Sequence, residues 1–381
     1  MTSDPREDGT LRSSGTGSAP PARTPRGGPR GWRTWHLHLP SWGTDVTDRA
    51  LVLGVAPAVA RYASAPRAAT DATPAPVPTP PAPAPQPAPT AAGEGDDSEH
   101  PWFFVRYWQG GPHLRLRIAG LGDEEARGVT ETLRRAADAV DAEVPAERRL
   151  TQADYASSVG SLARTGEGAG PLDQGVLLPP GVVRAAYVPE NGRYGGAGLM
   201  PLSEDLFHRS SVLALGACRE PRTRRQVFGQ ALAATAAATS ALPGQDRRPF
   251  LEAVRDGWAA WLSAHDRDGG PPPGPPGAAS APPAPSPVAG PPDALRAQAD
   301  QLRGAKAELL RLMDDPGPPW EVWATPLRAA VDVWAATGGR ERALGVLGSH
   351  LHMTLNRLGA GTAQEARLAA LLLLVTGDAP G

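Results

Sequence analysis

Cysteine is nearly absent from this chain. Cys218 is the only one in 381 residues, which excludes an intrachain disulfide framework and a cysteine-rich zinc site. Lysine is as scarce: Lys306 is the sole lysine among 38 basic residues, so every other basic residue is an arginine. Any anion site here must therefore rely on guanidinium forks, which grip carboxylates in bidentate fashion. Net charge is also missing, since 38 basic and 40 acidic residues give −2, too little to gather nucleic acid or an anionic membrane. The longest apolar run, Leu368–Val375, is far too short to span a bilayer, and residues 1–31 carry no secretory signal. A soluble cytoplasmic protein is expected, with no membrane contact and no direct nucleic-acid binding.

What the chain has in excess is glycine and proline, 44 of each, about 23% of its length. Most of the prolines lie in residues 1–31, 64–99 and 266–293. The first stretch reads as a disordered tail and the other two as solvated inserts. About 286 residues remain, enough for one large core or two modest ones. We read 32–381 as a single domain interrupted by the two inserts, because patterned sequence resumes directly after each.

The first half is strand-rich. Trp32–Leu39 reads as a strand, and Trp102–Trp108 and His113–Ala119 as a hairpin around Gln109-Gly110-Gly111-Pro112. Asp45–Tyr62 reads as a helix capped by Thr44 or Asp45 and shortened or kinked by Pro57. Leu121–Val144 is helical, and the glycine-rich stretch 157–183 reads as a long loop. From Pro201 onward the pattern is helical, in segments near 201–217, 223–242, 247–264, 293–314, 319–337, 340–358 and 362–376. A sheet from the first half with helices behind it makes an α+β fold, an antiparallel sheet packed against a mostly helical second half.

A two-residue turn at Gly110-Gly111 would pair Phe103 with Ile118, Val105 with Leu116 and Tyr107 with Leu114, giving an apolar face. The other face would pair Phe104 with Arg117, Arg106 with Arg115 and Trp108 with His113. Like charges directly opposite in a sheet destabilise it, so Arg106 against Arg115 calls for a compensating anion. A protein carboxylate would serve that need as well as a bound carboxylate or phosphate. Residues 340–358 place Leu344, Leu347, Leu351, Leu355 and Leu358 on one helical stripe, with His352 and Asn356 adjacent on its border. Asn356 could fix the tautomer of His352, as a working base requires, although a structural histidine would look the same. The stripe Trp320, Trp323, Leu327, Val331 and Trp334 reads as core. In the loop Tyr187–Gly196, Glu190 and Arg193 stand three apart beside two glycines, a pattern that a local ion pair explains equally well.

Taken in order, Trp35-His-Leu-His-Leu39, Trp102-Phe-Phe-Val-Arg-Tyr107, Pro112-His-Leu-Arg-Leu-Arg117, Glu190-x-x-Arg193-Tyr-Gly-Gly196 and His352-Met-x-x-Asn-Arg357 resemble one family. It is the C-terminal, glutamate-elimination domain of class I lanthipeptide dehydratases, which also occurs alone in thiopeptide-type bacteriocin biosynthesis. The resemblance implies removal of glutamate from glutamyl-esterified Ser or Thr of a precursor peptide, leaving dehydroalanine or dehydrobutyrine. It implies functional roles for Arg115, Arg117, Glu190, Arg193 and His352. Of these, Arg115, Glu190, Arg193 and His352 are expected to act in catalysis, and Arg106, His113, Arg117 and Asn356 to contact substrate. No metal or cofactor is implied.

β-Elimination needs a base near the α-carbon, stabilisation of developing negative charge and a bound leaving group, and paired arginines suit a departing glutamate. His352 is the candidate base or proton shuttle; Glu190 orients an arginine or is itself the base. Thr354 stands where relatives often carry a second histidine, which argues against a two-histidine relay. Most of a full-length relative would be a glutamylating domain, so the expected partners are a precursor peptide with its leader and a separate tRNA-dependent glutamylating subunit. Two alternatives are a thiopeptide pyridine synthase, joining two dehydroalanines in a formal [4+2] cycloaddition with leader release, and a non-catalytic leader-binding subunit. The latter would use Trp32–Leu39 as a free sheet edge.

Overall fold

The computed structural model describes residues 31–63, 100–157, 176–266 and 292–377. The expected tail and both proline-rich inserts lie outside those residues except at their margins. Four antiparallel strands, β1 (Trp32–His38), β2 (Trp102–Tyr107), β3 (His113–Ala119) and β4 (Gly181–Ala185), form a sheet in the order β2-β3-β1-β4. The architecture is α+β, with helices following the sheet.

One face of the sheet is apolar. Trp35, Leu37, Phe104, Leu114, Leu116 and Ile118 share it and are almost fully buried. Helix α1 (Thr44–Ala50), a π-helical turn (Leu51–Val55) and α2 (Ala56–Tyr62) run on without a break, then α3 (Asp123–Glu143) packs beside them. Pro57 is the second residue of α2, directly after the π-helical turn, where the regular i→i−4 hydrogen bonding is already interrupted. The N-cap is Gly43, without a side-chain bond, rather than Thr44 or Asp45. Gly54 is needed for a close approach: a Cβ there would stand 2.9 Å from that of Ala136 on α3. The Trp35 indole N–H donates to Thr130 Oγ1 at 2.8 Å, tying the sheet centre to α3.

Three expectations for the sheet need correction. First, β2 and β3 are joined by five residues, Trp108–Pro112, and pair as Phe103 with Arg117, Val105 with Arg115 and Arg106 with Leu114. The turn is held from outside: the Gly110 N–H donates to the Tyr155 hydroxyl at 2.8 Å, and Gly110 O accepts from Leu178 N–H at 2.9 Å. A one-residue slip moves every β2 side chain to the opposite face. Arg106 therefore does not oppose Arg115, and Phe103, Val105 and Tyr107 share the arginine face. Second, β1 is central, flanked by β3 and β4, so it offers no edge for a peptide. Third, the end of the glycine-rich stretch 157–183 is not loop but enters β4; residues 158–175 lie outside the described residues.

The helical half comprises α4 (Met200–Ala217), α5 (Arg224–Thr239), α6 (Gly244–Asp266), α7 (Pro292–Gln301), α8 (Lys306–Asp314), α9 (Glu321–Leu358) and α10 (Thr362–Thr376). The two expected helices 319–337 and 340–358 are the halves of α9, broken at Gly339 (φ 82°, ψ 167°). Trp323, Leu327, Val331 and Trp334 are buried core. Helices α4 and α9 seal the β2 edge with side chains. The Phe104 N–H donates to Ser211 Oγ (3.2 Å), and Phe104 O accepts from Arg357 Nε (2.9 Å). Asn356 Oδ1 accepts from Arg106 N–H while its Nδ2 donates to Arg106 O, both at 3.0 Å. The seal draws the end of α9 against the sheet, and one continuous apolar cluster runs from sheet to bundle.

Candidate functional site

Where the end of α9 meets the sheet, a cavity of about 210 Å³ opens. Its floor is the polar sheet face, where Phe103, Val105 and Tyr107 of β2 stand beside Arg115 and Arg117 of β3. The walls are the loop from Tyr187 to Tyr194, Met200 and Phe207 of α4, the end of α9 and the start of α10. Arg106, Arg115, Arg117, Glu190, His352 and Asn356 all line it. His113 and Arg193 are not lining residues.

The arginines differ in what surrounds them. Arg115 lies over the Tyr107 ring at 3.4 Å, and its Nε donates to His113 Nε2 at 3.1 Å. Arg117 sits between the Phe103 and Tyr187 rings at 5.1 and 4.8 Å and makes no hydrogen bond or ion pair among the described residues. Arg357 is fully buried beside them: its Nε donates to Phe104 O, its carbon lies 5.1 Å from the Phe207 ring, and neither Nη has a partner among the described residues. Burial is the main cause that lowers all three from the usual guanidinium value, Arg117 to about 10 and Arg357 to about 9. Arg115 and Arg357 each press Arg117's charge further, or feel it. Desolvated cations without a carboxylate in contact favour an anion strongly, because the low dielectric magnifies the attraction.

Arg106 belongs to a different arrangement. Its guanidinium donates to Asp48 Oδ1 at 2.6 Å, and Arg222 grips the same carboxylate through Nε and Nη2 at 2.7–3.0 Å. Its charge is therefore committed to Asp48 on the apolar side of the sheet. Glu190 and Arg193 form the local pair that their spacing allowed, at 3.4 Å, with Glu190 62% and Arg193 11% exposed.

His352 is held by Glu365, not by Asn356. Its Nδ1 lies 2.7 Å from Glu365 Oε1 and the Trp258 ring packs 4.9 Å away; His352 and Glu365 both line the cavity. Asn356 spends its amide on the β2 backbone. His350 faces elsewhere, among Tyr194, Phe207 and Trp334. On the same polar sheet face, His36, His38 and His113 cluster with ring centroids 4.5–6.3 Å apart. Burial lowers all three, His36 to about 3 and His38 to about 4, and Arg115 adds to the effect. His113 Nδ1 donates to Gly111 O at 2.9 Å, so its Nε2 is free to accept from Arg115. Among the described residues, no group of three or more His, Cys, Asp and Glu side chains is arranged to hold a metal ion. Nor is any single helix among them long and apolar enough to cross a membrane.

The profile of the lantibiotic biosynthesis dehydratase C-terminal family matches residues 88–375, most of the chain. The protein belongs to that family. No curated protein matches it in sequence. Among solved structures it resembles the pyridine synthase TbtD from thiomuracin biosynthesis, with a TM-score of 0.60 and 16% identity over 92% of this chain and 98% of that one. It is also similar to the tRNA-dependent lantibiotic dehydratase MibB from Microbispora sp. 107891 (TM-score 0.47, 20% identity, 93% of this chain) and to TsrL (0.49, 14%, 93% of this chain and 100% of that one). The chain spans 28% of MibB. At 16% identity the likeness to TbtD establishes the fold alone.

Within this member of the family, three features of the cavity escaped the sequence reading. Arg357 stood in the His352-Met-x-x-Asn-Arg motif without a role. It lies off the leucine stripe, on the line of Val346, His350 and Met353, which the structure also buries, so residue type and spacing gave no signal for it. Glu365 looked like an ordinary acidic residue in a first helical turn. Tyr187 marked only the start of a loop, yet burial raises its phenol pKa, beside the Glu204 carboxylate to which it is hydrogen-bonded.

Proposed function

We propose that this protein eliminates glutamate from glutamyl-esterified Ser or Thr residues of a precursor peptide, leaving dehydroalanine or dehydrobutyrine. The observation that carries this reading is the sharing of one cavity by Arg115, Arg117 and Arg357, none in contact with a carboxylate among the described residues, and the His352–Glu365 pair. A glutamyl ester brings a free carboxylate for the cations and an acidic α-proton for the base. His352 takes that proton, the electron pair forms the Cα–Cβ double bond, and the Cβ–O bond breaks as glutamate leaves. The leaving carboxylate has an ordinary pKa near ~4, so it departs with little acid help. Glu190 is the weaker base candidate, being mostly exposed and paired with Arg193; on this reading it positions that arginine. The ester is made by a separate tRNA-dependent subunit, and the substrate is a peptide with its leader. The continuous core supports treating 32–381 as one domain.

Mixing the protein with glutamyl-esterified precursor is expected to release free glutamate and leave dehydrated residues, both read by mass spectrometry. Unchanged ester overturns the proposal. Loss of dehydroalanines with a shortened peptide would establish the cycloaddition, and binding without chemical change would establish a leader-binding subunit.

A further inference from the structure

We infer that Glu365 is the positioning residue for His352, holding its imidazole as the Nδ1–H tautomer so that Nε2 is the proton acceptor. The inference deepens the elimination reading and rests on it for its chemistry, but its geometry stands apart from that reading.

The two residues are thirteen apart and meet because the chain reverses between α9 and α10. Gly359 adopts φ 91°, a left-handed conformation that suits glycine, and α10 starts three residues later. Glu365 falls in the fourth position of α10 and turns back onto His352, with Oε1 2.7 Å from Nδ1. The Glu365 side chain is 1% exposed and that of His352 9%. A carboxylate near a helix N-terminus is favoured in its ionised form by the helix dipole. An ionised carboxylate can only accept, so the hydrogen between the pair belongs to Nδ1 and the other ring nitrogen carries the lone pair. The Trp258 ring lies against the imidazole at 37°, which limits its swivel. Buried tautomer, buried partner and packed ring together fix one orientation.

In the reaction, Nε2 accepts the α-proton and the ring becomes an imidazolium. Glu365 neutralises that new charge at contact distance in a water-poor site, where the attraction is largest. The proton then leaves to solvent. Glutamine at 365 keeps the volume but loses the charge, and its amide N–H₂ can donate to Nδ1 and drive the ring to the opposite tautomer, with a hydrogen on Nε2.

Steady-state kinetics on glutamyl-esterified precursor test this. Glu365→Gln is expected to lower kcat by ~10²–10⁴-fold with KM changed less than about twofold. The double variant with His352→Ala should be no slower than His352→Ala alone, because Glu365 acts through the imidazole. Wild-type kcat in Glu365→Gln, or a double variant in which the two losses multiply, overturns the role. The ¹⁵N shifts of His352 are a second readout that needs no turnover. A protonated Nδ1 in the wild type that is lost in Glu365→Gln supports the assignment, and a protonated Nε2 in the wild type overturns it. Should the wild type leave the ester intact, the elimination reading fails while the NMR result still decides the pair.

Discussion

Two arginine clusters occupy opposite sides of the same small sheet. On the apolar side, Arg106 and Arg222 converge on Asp48, with side chains 12%, 3% and 10% exposed. On the polar side, Arg115, Arg117 and Arg357 stand among aromatic rings with no carboxylate in contact among the described residues. The first cluster is a strut, because its charges are answered inside the protein. The second has no carboxylate in contact among the described residues, only the longer-range attraction of Glu190 on Arg115 and Arg117, and burial lowers its guanidinium pKa values. Burial of arginine is therefore not what marks a site; the missing counter-charge is.

Each cluster can be perturbed on its own. The largest effect is expected from Asp48→Ala, which strands two buried guanidiniums and should destabilise the fold by about 3–5 kcal/mol in denaturant unfolding. A loss under 1 kcal/mol would show that Asp48 is no strut. Next in size is ligand stabilisation: glutarate or glutamate at 100 times its Kd should raise unfolding free energy by about 2.7 kcal/mol, with the gain lost in Arg117→Met. No shift of the melting temperature at any concentration would remove the anion site. Arg117→Met itself should stabilise the ligand-free protein, by about 1–3 kcal/mol, because it removes an unsatisfied buried group. Destabilisation instead would place Arg117 with the struts.

Smallest at neutral pH, and growing with acid, is the effect of the histidine cluster beside Arg115. His36, His38 and His113 have folded pKa values below the ordinary 6.5, at about 3 and about 4 for the first two. The unfolded chain therefore binds more protons, and their contribution to stability is fully present above pH 6.5 and falls away as pH drops towards 3–4. Melting temperature against pH should decline through that window, and His38→Gln should flatten the decline. An unchanged slope in the variant would mean that His38 titrates normally.

The list of elements was largely legible in the sequence, because helical periodicity and turn residues act over a few neighbours. The helices from Met200 onward, the strands β1 to β3 and the break near Gly339 follow from that local chemistry. So did most of the cavity: Arg115, Arg117, Glu190, His352 and Asn356 were all picked out from residue type and spacing. β4 was missed, since its five residues form a strand only when β1 is beside them. The hairpin register failed for a similar reason, as Tyr155 and Leu178 hold the turn from distant segments.

Scarcity of cysteine already excluded a disulfide framework, and scarcity of lysine settled that any anion site here would be built from arginine. Which arginines those are depended on register, and register depends on contacts that no local window contains. The slip by one residue sent Arg106 to Asp48 and brought Phe103, Val105 and Tyr107 to the cavity floor. The reversal at Gly359 brought Glu365 to His352, a pairing between separate helices that neither helix's own pattern encodes. Sequence periodicity reports which side of an element is apolar. Only packing in three dimensions decides what each polar side chain finds opposite it, and here that choice separates the strut from the site.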